Sequence, residues 1–274
     1  MNSHIFNFVH LSDPHLPETK EKTASGVLPY EKLEDTLNSI NKLELKPRFV
    51  IITGDLIQKE ATQGYTLVKK YIHELEKNNI PTLVTLGNHD NREKYREIFQ
   101  TDEEKGPLFY VTEFDGFRII CLDSYNPGSD LGLFTGNQLQ WLKKVLEENS
   151  GQPTIIAFHH PMHLSWLRLF DKEFDSTQRS QFYQIIARHN ILAVLNGHLH
   201  HNVINNVNGV LHIQASSVKS ELVFNEEDYR IRNTLRYNQV IIHNNAVYVN
   251  THSLPYDGRI LSEGSLQQLF NGRS

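Results

Sequence analysis

The sequence predicts an α/β fold built on parallel strands, and three observations carry that prediction. Short apolar runs alternate with segments whose apolar residues recur at helical spacing. Several of those runs stop abruptly at a glycine or a proline next to Asp, Asn or His. Turn-flanked strands then crowd the last part of the chain. With 274 residues, 39% hydrophobic and 22% charged, the chain has the composition of a globular protein and can bury a sizeable core. Neither an internal repeat nor a linker interrupts it, so residues 1–274 read as a single domain, with about 217–274 a β-rich C-terminal extension acting as a cap or an oligomer segment.

Ile5 to Leu11 reads as a strand running into Ser12-Asp13-Pro14-His15. In extended backbone, residues two apart point the same way, so Asp13 and His15 reach one point beyond the strand. Pro14 biases Asp13 away from helix. A helix follows with Leu33, Leu37, Ile40 and Leu43 on one face. Phe49 to Thr53 is apolar up to its final threonine, as a strand buried on both faces should be, and ends in Gly54-Asp55. A helix over about Thr62 to Asn78 leads to Pro81, which opens a strand ending in Gly87-Asn88-His89-Asp90. Right-handed crossovers between these strands place their carboxyl ends on one edge, where open α/β sheets bind ligands.

A short helix lies around Arg92 to Phe99. Leu108 to Phe114 and Phe117 to Leu122 are strands joined by Asp115-Gly116, a hairpin turn. Thr135 and Gln138 have the spacing of a capping box opening a helix through Trp141 and Leu146. The strand Thr154 to Phe158 ends in His159-His160-Pro161. A helix near Ser176 to His189 precedes Ile191 to Leu195, which ends in Asn196-Gly197-His198-Leu199-His200. Asn208-Gly209 and Asn244-Asn245 mark two further hairpins, the second joining Tyr237 to His243 with Ala246 to His252.

Composition limits the partners. A formal charge of −5 without a basic run argues against an extended nucleic-acid footprint and leaves room for a small phosphate-bearing substrate. The single cysteine, Cys121, excludes an intrachain disulfide and suits a reducing compartment. No signal-peptide pattern opens Met1 to Leu11 and no window has the length of a membrane span, so a cytoplasmic protein with no membrane partner is expected.

Five strands therefore end in polar clusters: Asp13/His15, Asp55, Asn88/His89/Asp90, His159/His160 and His198/His200. A lone histidine after a strand is ordinarily a satisfied polar residue, but the recurrence on one edge points to a common site. Two carboxylates, four imidazoles and one amide oxygen, without a thiolate, suit Fe, Mn or Zn better than Ca or Mg. Seven such groups exceed what one catalytic ion uses and match two ions sharing a carboxylate.

Asp13-Pro14-His15, Gly54-Asp55, Gly87-Asn88-His89-Asp90, His159-His160-Pro161 and Gly197-His198-Leu199-His200 stand in the order and approximate spacing of the calcineurin-like metallophosphoesterases. The set most resembles the class III cyclic nucleotide phosphodiesterase and glycerophosphodiesterase branch. The resemblance implies a four-layer αββα sandwich of two mixed β-sheets flanked by helices, the metallo-dependent phosphatase-like fold. It implies that Asp13, His15 and His200 hold one transition-metal ion, that Asn88, His159 and His198 hold the other, and that Asp55 bridges. It further implies in-line attack by a metal-bound hydroxide on a small phosphodiester, of cyclic nucleotide or glycerophosphodiester type, assisted by His89. A homodimer or higher homo-oligomer is implied as well.

Two departures narrow the branch. Asp55 is followed by Leu56-Ile57-Gln58-Lys59 instead of the aspartate and arginine of phosphoprotein phosphatases, and no long charged insertion suggests a nuclease. A phosphomonoesterase of the same fold and a non-catalytic metal-binding regulatory module are the rival readings. His160 and His163 either touch substrate, support the ligands from behind or face solvent, the last two being favoured. Trp166, Leu167, Leu169 and Phe170 form an apolar wall for an organic group, a dimer contact or core packing. Asp90 orients His89 or, preferably, caps the next helix. His4, His10, His73, His189, His243 and His252 are read as structural or surface residues, and Tyr229, Arg230, Arg232 and Arg236 as a cover or an oligomer surface.

Overall fold

In the computed structural model, which describes residues 5–59, 61–101, 106–162 and 173–271, the first strands form as their apolar patterns require. Strands β1 (Phe6–Leu11), β2 (Val50–Thr53) and β3 (Thr82–Thr85) run parallel. Helices α1 (Pro29–Asn41) and α2 (Gly64–Lys77) make the crossovers. After α3 (Arg92–Phe99) the chain enters a second sheet through the hairpin of β4 (Tyr110–Phe114) and β5 (Phe117–Cys121). Asp115 and Gly116 between them both have positive φ, 50° and 86°, as a type I′ turn demands. Helix α4 (Gly136–Glu148), β6 (Thr154–Ala157), α5 (Ser176–Ile186), β7 (Ile191–Asn196) and the hairpin β8 (Val203–Val207) to β9 (Val210–Gln214) complete that sheet.

The rest of the chain divides. Strands β10 (Glu221–Phe224) and β11 (Asp228–Arg232) pair in a small separate sheet, β12 (Leu235–His243) and β13 (Ala246–Leu254) return to the first, and β14 (Ile260–Ser265) rejoins the small sheet before α6 (Leu266–Asn271). The first sheet has the order β13-β12-β1-β2-β3, the second β4-β5-β6-β7-β9-β8, and the third β10-β11-β14. Both large sheets are mixed, because β12 and β13 are antiparallel additions to one and β4 and β8 to the other.

Strand periodicity explains the layering. In β1, β5 and β6 alternate side chains enter two different cores. Phe6, Phe8, Phe49, Ile51, Ile119, Cys121, Ile155 and Ala157 fill the space between the two large sheets. Their neighbours pack outward: Val9, Leu11, Val50 and Ile52 meet Leu33, Val68 and Leu75 of α1 and α2. Ile120, Ile156 and Val194 meet Leu142, Leu146 and Phe182 of α4 and α5. Helix, sheet, sheet, helix is the four-layer αββα sandwich. Phe8 and Phe49 stack at 4.8 Å in the middle layer, and each buried phenyl contributes about 2–3 kcal/mol by leaving water.

One local expectation needs correction, and one element was not anticipated. Thr135 does cap α4, its Oγ1 accepting the Gln138 N–H at 3.3 Å. The reciprocal half of the capping box is absent, because the buried Gln138 amide pairs with both backbone groups of Asp123, at 3.0 Å each, whose burial would otherwise leave them unsatisfied. The three-stranded sheet was not foreseen. Among the described residues no helix is long and apolar enough to cross a membrane.

Candidate metal centre

Asp13, His15, Asp55, Asn88 and His89 follow β1, β2 and β3, whereas His159, His198 and His200 follow β6 and β7. The sequence-based expectation of one edge of one sheet is thus corrected: the cluster forms where the carboxyl ends of two facing sheets meet. A second correction concerns Asp13 and His15. They converge through tight left-handed turns, with φ of 52° and 46°, and not through extended backbone. Asp55, His198 and His200 share that conformation, at 49°, 74° and 54°. Left-handed backbone is costly for residues with a Cβ and concentrates where the surroundings enforce it at functional sites.

The donor atoms fall into two sets. Asn88 Oδ1 lies 3.2 Å from His159 Nε2 and 3.0 Å from His198 Nδ1, and the two imidazole nitrogens are 3.2 Å apart. In the other set, His15 Nε2 is 2.9 Å from His200 Nε2, which is 3.4 Å from Asp13 Oδ1. Asp55 stands between them, with Oδ1 3.4 Å from His159 Nε2 and Oδ2 3.5 Å from His15 Nε2. All seven sequence-predicted ligand positions therefore come together.

The chemistry of these atoms fits cations. Asp13 Oδ1 is buried without a hydrogen-bond partner, and lone pairs crowded this closely repel unless something positive sits between them. The ring tautomers are set from behind. Thr53 O can only accept, at 2.7 Å, so His159 carries a proton on Nδ1 and turns Nε2 toward the cluster. Glu173 Oε2 accepts from His198 Nε2 at 3.0 Å and leaves Nδ1 as the inward donor. Asn88 Nδ2 donates to Asp130 Oδ1 at 3.3 Å, which aims the amide oxygen at the cluster.

Burial and the Asp55 charge have opposite effects on His15, and burial prevails, holding its pKa well below the usual range, so this imidazole is a neutral donor. At His159 burial opposes protonation, yet the flanking Asp55 and Asp13 carboxylates outweigh it and push the pKa up to about 10. Without a cation the ring therefore carries a second proton, on Nε2, at neutral pH, and an ion taking that nitrogen would displace it. Metal uptake at neutral pH is expected to release about one proton per chain from this residue, with affinity falling as pH falls. Titration calorimetry in buffers of different ionisation enthalpy checks this, and uptake without proton release would refute it.

His89 lies at the mouth of the same site. A backbone N–H can only donate, so the 3.2 Å contact from Lys59 N makes His89 Nδ1 the acceptor and leaves the ring proton on Nε2, 4.0 Å from Asp55 Oδ2. Asp90 neither orients His89 nor caps α3. Asn91 is the cap, accepting the Lys94 N–H at 3.0 Å, while the buried Asp90 carboxyl takes N–H groups of Gly87 and Leu56 and the Tyr65 hydroxyl. Burial first, then the nearby Asp55 charge, raises its pKa to about 7. His160 faces neither solvent nor the cavity directly: it is fully buried and Nδ1 contacts Ser124 Oγ at 2.9 Å. His163 and the stretch Trp166, Leu167, Leu169 and Phe170 lie outside the described residues.

Sequence reasoning missed Glu173, Asp130 and Lys219. A cavity of about 320 Å³ opens over the cluster, and Lys219, Asp130, Leu222, Ile231 and Leu269 line it together with the His and Asp residues. None of the five belongs to a spaced motif, so no local signal marked them.

An αββα sandwich with two adjoining His/Asp ligand sets at the carboxyl ends of its strands defines the class of metallo-dependent phosphatase folds. Residues 6–202 match the family model described as calcineurin-like phosphoesterase, and the chain belongs to that family. A cAMP/cGMP dual specificity phosphodiesterase of Mycobacterium tuberculosis is 30% identical over 71% of this chain, which spans 61% of that relative's length. A protein named a probable glycerophosphodiester phosphodiesterase, from Arcobacter nitrofigilis, is 29% identical over 70% of this chain and 71% of its own. Among solved structures, a dimetal phosphatase from Danio rerio superposes with a TM-score of 0.60 at 15% identity, covering 91% of this chain and 99% of that one, which is a likeness of fold.

Proposed function

We propose that this chain hydrolyses small phosphodiesters, of the cyclic nucleotide or glycerophosphodiester type, at a pair of transition-metal ions drawn from Fe, Mn and Zn. The observation that carries this reading is the position of Asp55, each of whose carboxylate oxygens faces a different ligand set. Asp13, His15 and His200 would hold one ion, Asn88, His159 and His198 the other, with Asp55 shared. When bound, such ions supply positive charge to the phosphoryl oxygens and the capacity to activate water at neutral pH. The names of the two relatives support a diester as substrate.

The protein's own part is positioning and proton delivery. His89 presents an Nε2–H toward the cavity because the Lys59 amide occupies its other nitrogen, so it is placed to donate to a phosphoryl oxygen or to the departing alkoxide. His89→Ala is expected to lower kcat on bis(p-nitrophenyl) phosphate by roughly 10²–10⁴, the usual weight of a general acid, while metal content stays at the wild-type level. An unchanged kcat, or metal loss in step with activity, would remove His89 from that role.

The test of the whole reading is turnover by protein reconstituted with Mn²⁺, Fe²⁺ or Zn²⁺, assayed side by side on bis(p-nitrophenyl) phosphate and p-nitrophenyl phosphate. Preference for the monoester would establish a phosphomonoesterase instead, and inactivity on both with full metal would leave a metal-binding module.

A further inference from the structure

We propose that Lys219 is the substrate-phosphate anchor of this centre, a specificity-determining residue that grips a non-bridging oxygen of the diester while Leu222 and Ile231 beside it receive an apolar or ring-shaped organic group. The inference rests on the diesterase reading and adds to it a residue outside the family match, which ends at residue 202.

The loop carrying Lys219 is built onto the backbone of the metal centre itself. Val218 N donates to Ser12 O at 2.9 Å, and Ser217 Oγ donates to Asp13 O at 2.7 Å. Ser217 Oγ also accepts the Lys219 N–H at 2.9 Å, and the buried Lys32 ammonium holds the Lys219 carbonyl at 2.7 Å. The serine and valine contacts fix Lys219 relative to Asp13, and the Lys32 contact ties it to α1. Its side chain is 8% exposed and lines the cavity with His15, Asp55, Asn88 and His89. Among the described residues no hydrogen bond occupies its ammonium, so a lysine whose backbone is fixed on both sides keeps its charged end free at the cavity.

Charge decides what it is held for. Asp13 and Asp55 are the carboxylates whose fields reach this ammonium. Cations bound by those carboxylates would cancel that attraction and leave Lys219 beside like charge, an unfavourable arrangement for a lysine this little exposed. The remaining acids of the site are engaged elsewhere, Glu173 with His198 and Asp130 with Asn88. An anion entering the cavity relieves the imbalance, and a phosphodiester monoanion brings one. Leu199, Leu222, Ile231 and Leu269 line the same cavity, so charge recognition and apolar contact are available to a single ligand. The three-stranded sheet thereby acquires a purpose: β10 and β11 carry two of these apolar residues, and Leu222 N is tied to His200 O at 2.8 Å.

The test compares wild type with Lys219→Met, which keeps the length and loses the charge, and with Lys219→Arg. Metal content is read by mass spectrometry, the binding of inorganic phosphate to metal-loaded protein by calorimetry, and KM with cyclic AMP. Lys219→Met is expected to keep its metal while the phosphate Kd and the KM both rise by roughly ten- to a hundredfold, the weight of one charge-assisted hydrogen bond. Lys219→Arg recovers most of that loss. Unchanged phosphate binding, or metal loss in the Met variant that Arg repairs, overturns the proposal, the latter because it marks a counter-ion for the ligands. Leu222→Ala should raise KM for cyclic AMP and leave phosphate binding alone; equal effects on both would overturn the apolar half. If the wild-type chain hydrolyses no diester, the hydrolytic reading fails, while phosphate binding still decides for or against Lys219.

Discussion

Asp55→Ala is expected to lower hydrolysis of bis(p-nitrophenyl) phosphate by at least about 10³, which corresponds to about 4 kcal/mol of lost transition-state stabilisation. The reason is geometric. Each oxygen of this carboxylate faces one ligand set, at 3.4 and 3.5 Å from His159 and His15, so a single truncation takes a donor from both. It also removes the acceptor of the His89 backbone N–H, held at 2.9 Å by Asp55 Oδ1, and so loosens the loop that carries His89. The residue is 2% exposed, so the truncation leaves a void among buried imidazoles and no carboxylate charge to hold a cation there. Metal per chain should drop in parallel, measured by mass spectrometry on protein whose circular dichroism matches wild type. Full metal content together with retained turnover would refute the bridging role.

How much of this was legible in the sequence depends on how local each signal is. Strands β1 and β2 were readable because residues on both faces are buried, Phe6, Phe8, Phe49 and Ile51 on one side and Val9, Leu11, Val50 and Ile52 on the other. The hairpins at Asn208-Gly209 and Asn244-Asn245 were readable because left-handed backbone selects those residue types, and all four have positive φ. The clustered Asp, Asn and His positions were readable because each sits at a strand end in a short motif. What a strand end does not reveal is which sheet its strand joins, and the division of the cluster between two sheets was therefore hidden in the residue pattern.

Strands β10, β11 and β14 were illegible for a different reason. They are short and only partly buried, and Arg230, Arg232 and Glu263 on them break any apolar alternation. Glu173, Asp130 and Lys219 act through long-range contacts from loops, at sequence separations of 25 residues for Glu173 with His198 and 42 for Asp130 with Asn88. A single charged residue in a loop looks the same whether it faces water or a buried cluster. Asp90 was misread because it directly precedes Asn91, and either side chain satisfies the rule for a helix cap.

The glycines of the strand-end motifs make the last prediction, since they show how closely the two sheets must approach. A Cβ on Gly87 would lie 2.3 Å from Asp55 Oδ1, 2.6 Å from Asp55 N and 2.7 Å from His159 Cδ2. A Cβ on Gly54 would lie 2.5 Å from His159 Nδ1 and 2.8 Å from Gly87 N. These two glycines are thus in mutual backbone contact, wedged between a carboxylate and an imidazole of the centre. Gly87→Ala cannot be absorbed by rotating a flexible side chain, because one of the clashing atoms is backbone. Asp55 must move, and with it the oxygen that faces His159. The variant is expected to lose about 1–3 kcal/mol of stability by overpacking, lowering Tm by roughly 2–4 °C per kcal/mol. It should also bind less than the wild-type complement of metal, with turnover falling by more than the stability change explains. Gly136→Ala is the matched control: nothing lies within 4 Å of a Cβ built there at the start of α4, so metal content should stay at the wild-type value and Tm should hold or rise. A Gly87→Ala protein with wild-type Tm and both ions would mean that the sheets have room to part, and that the short distances around Asp55 are not held by packing.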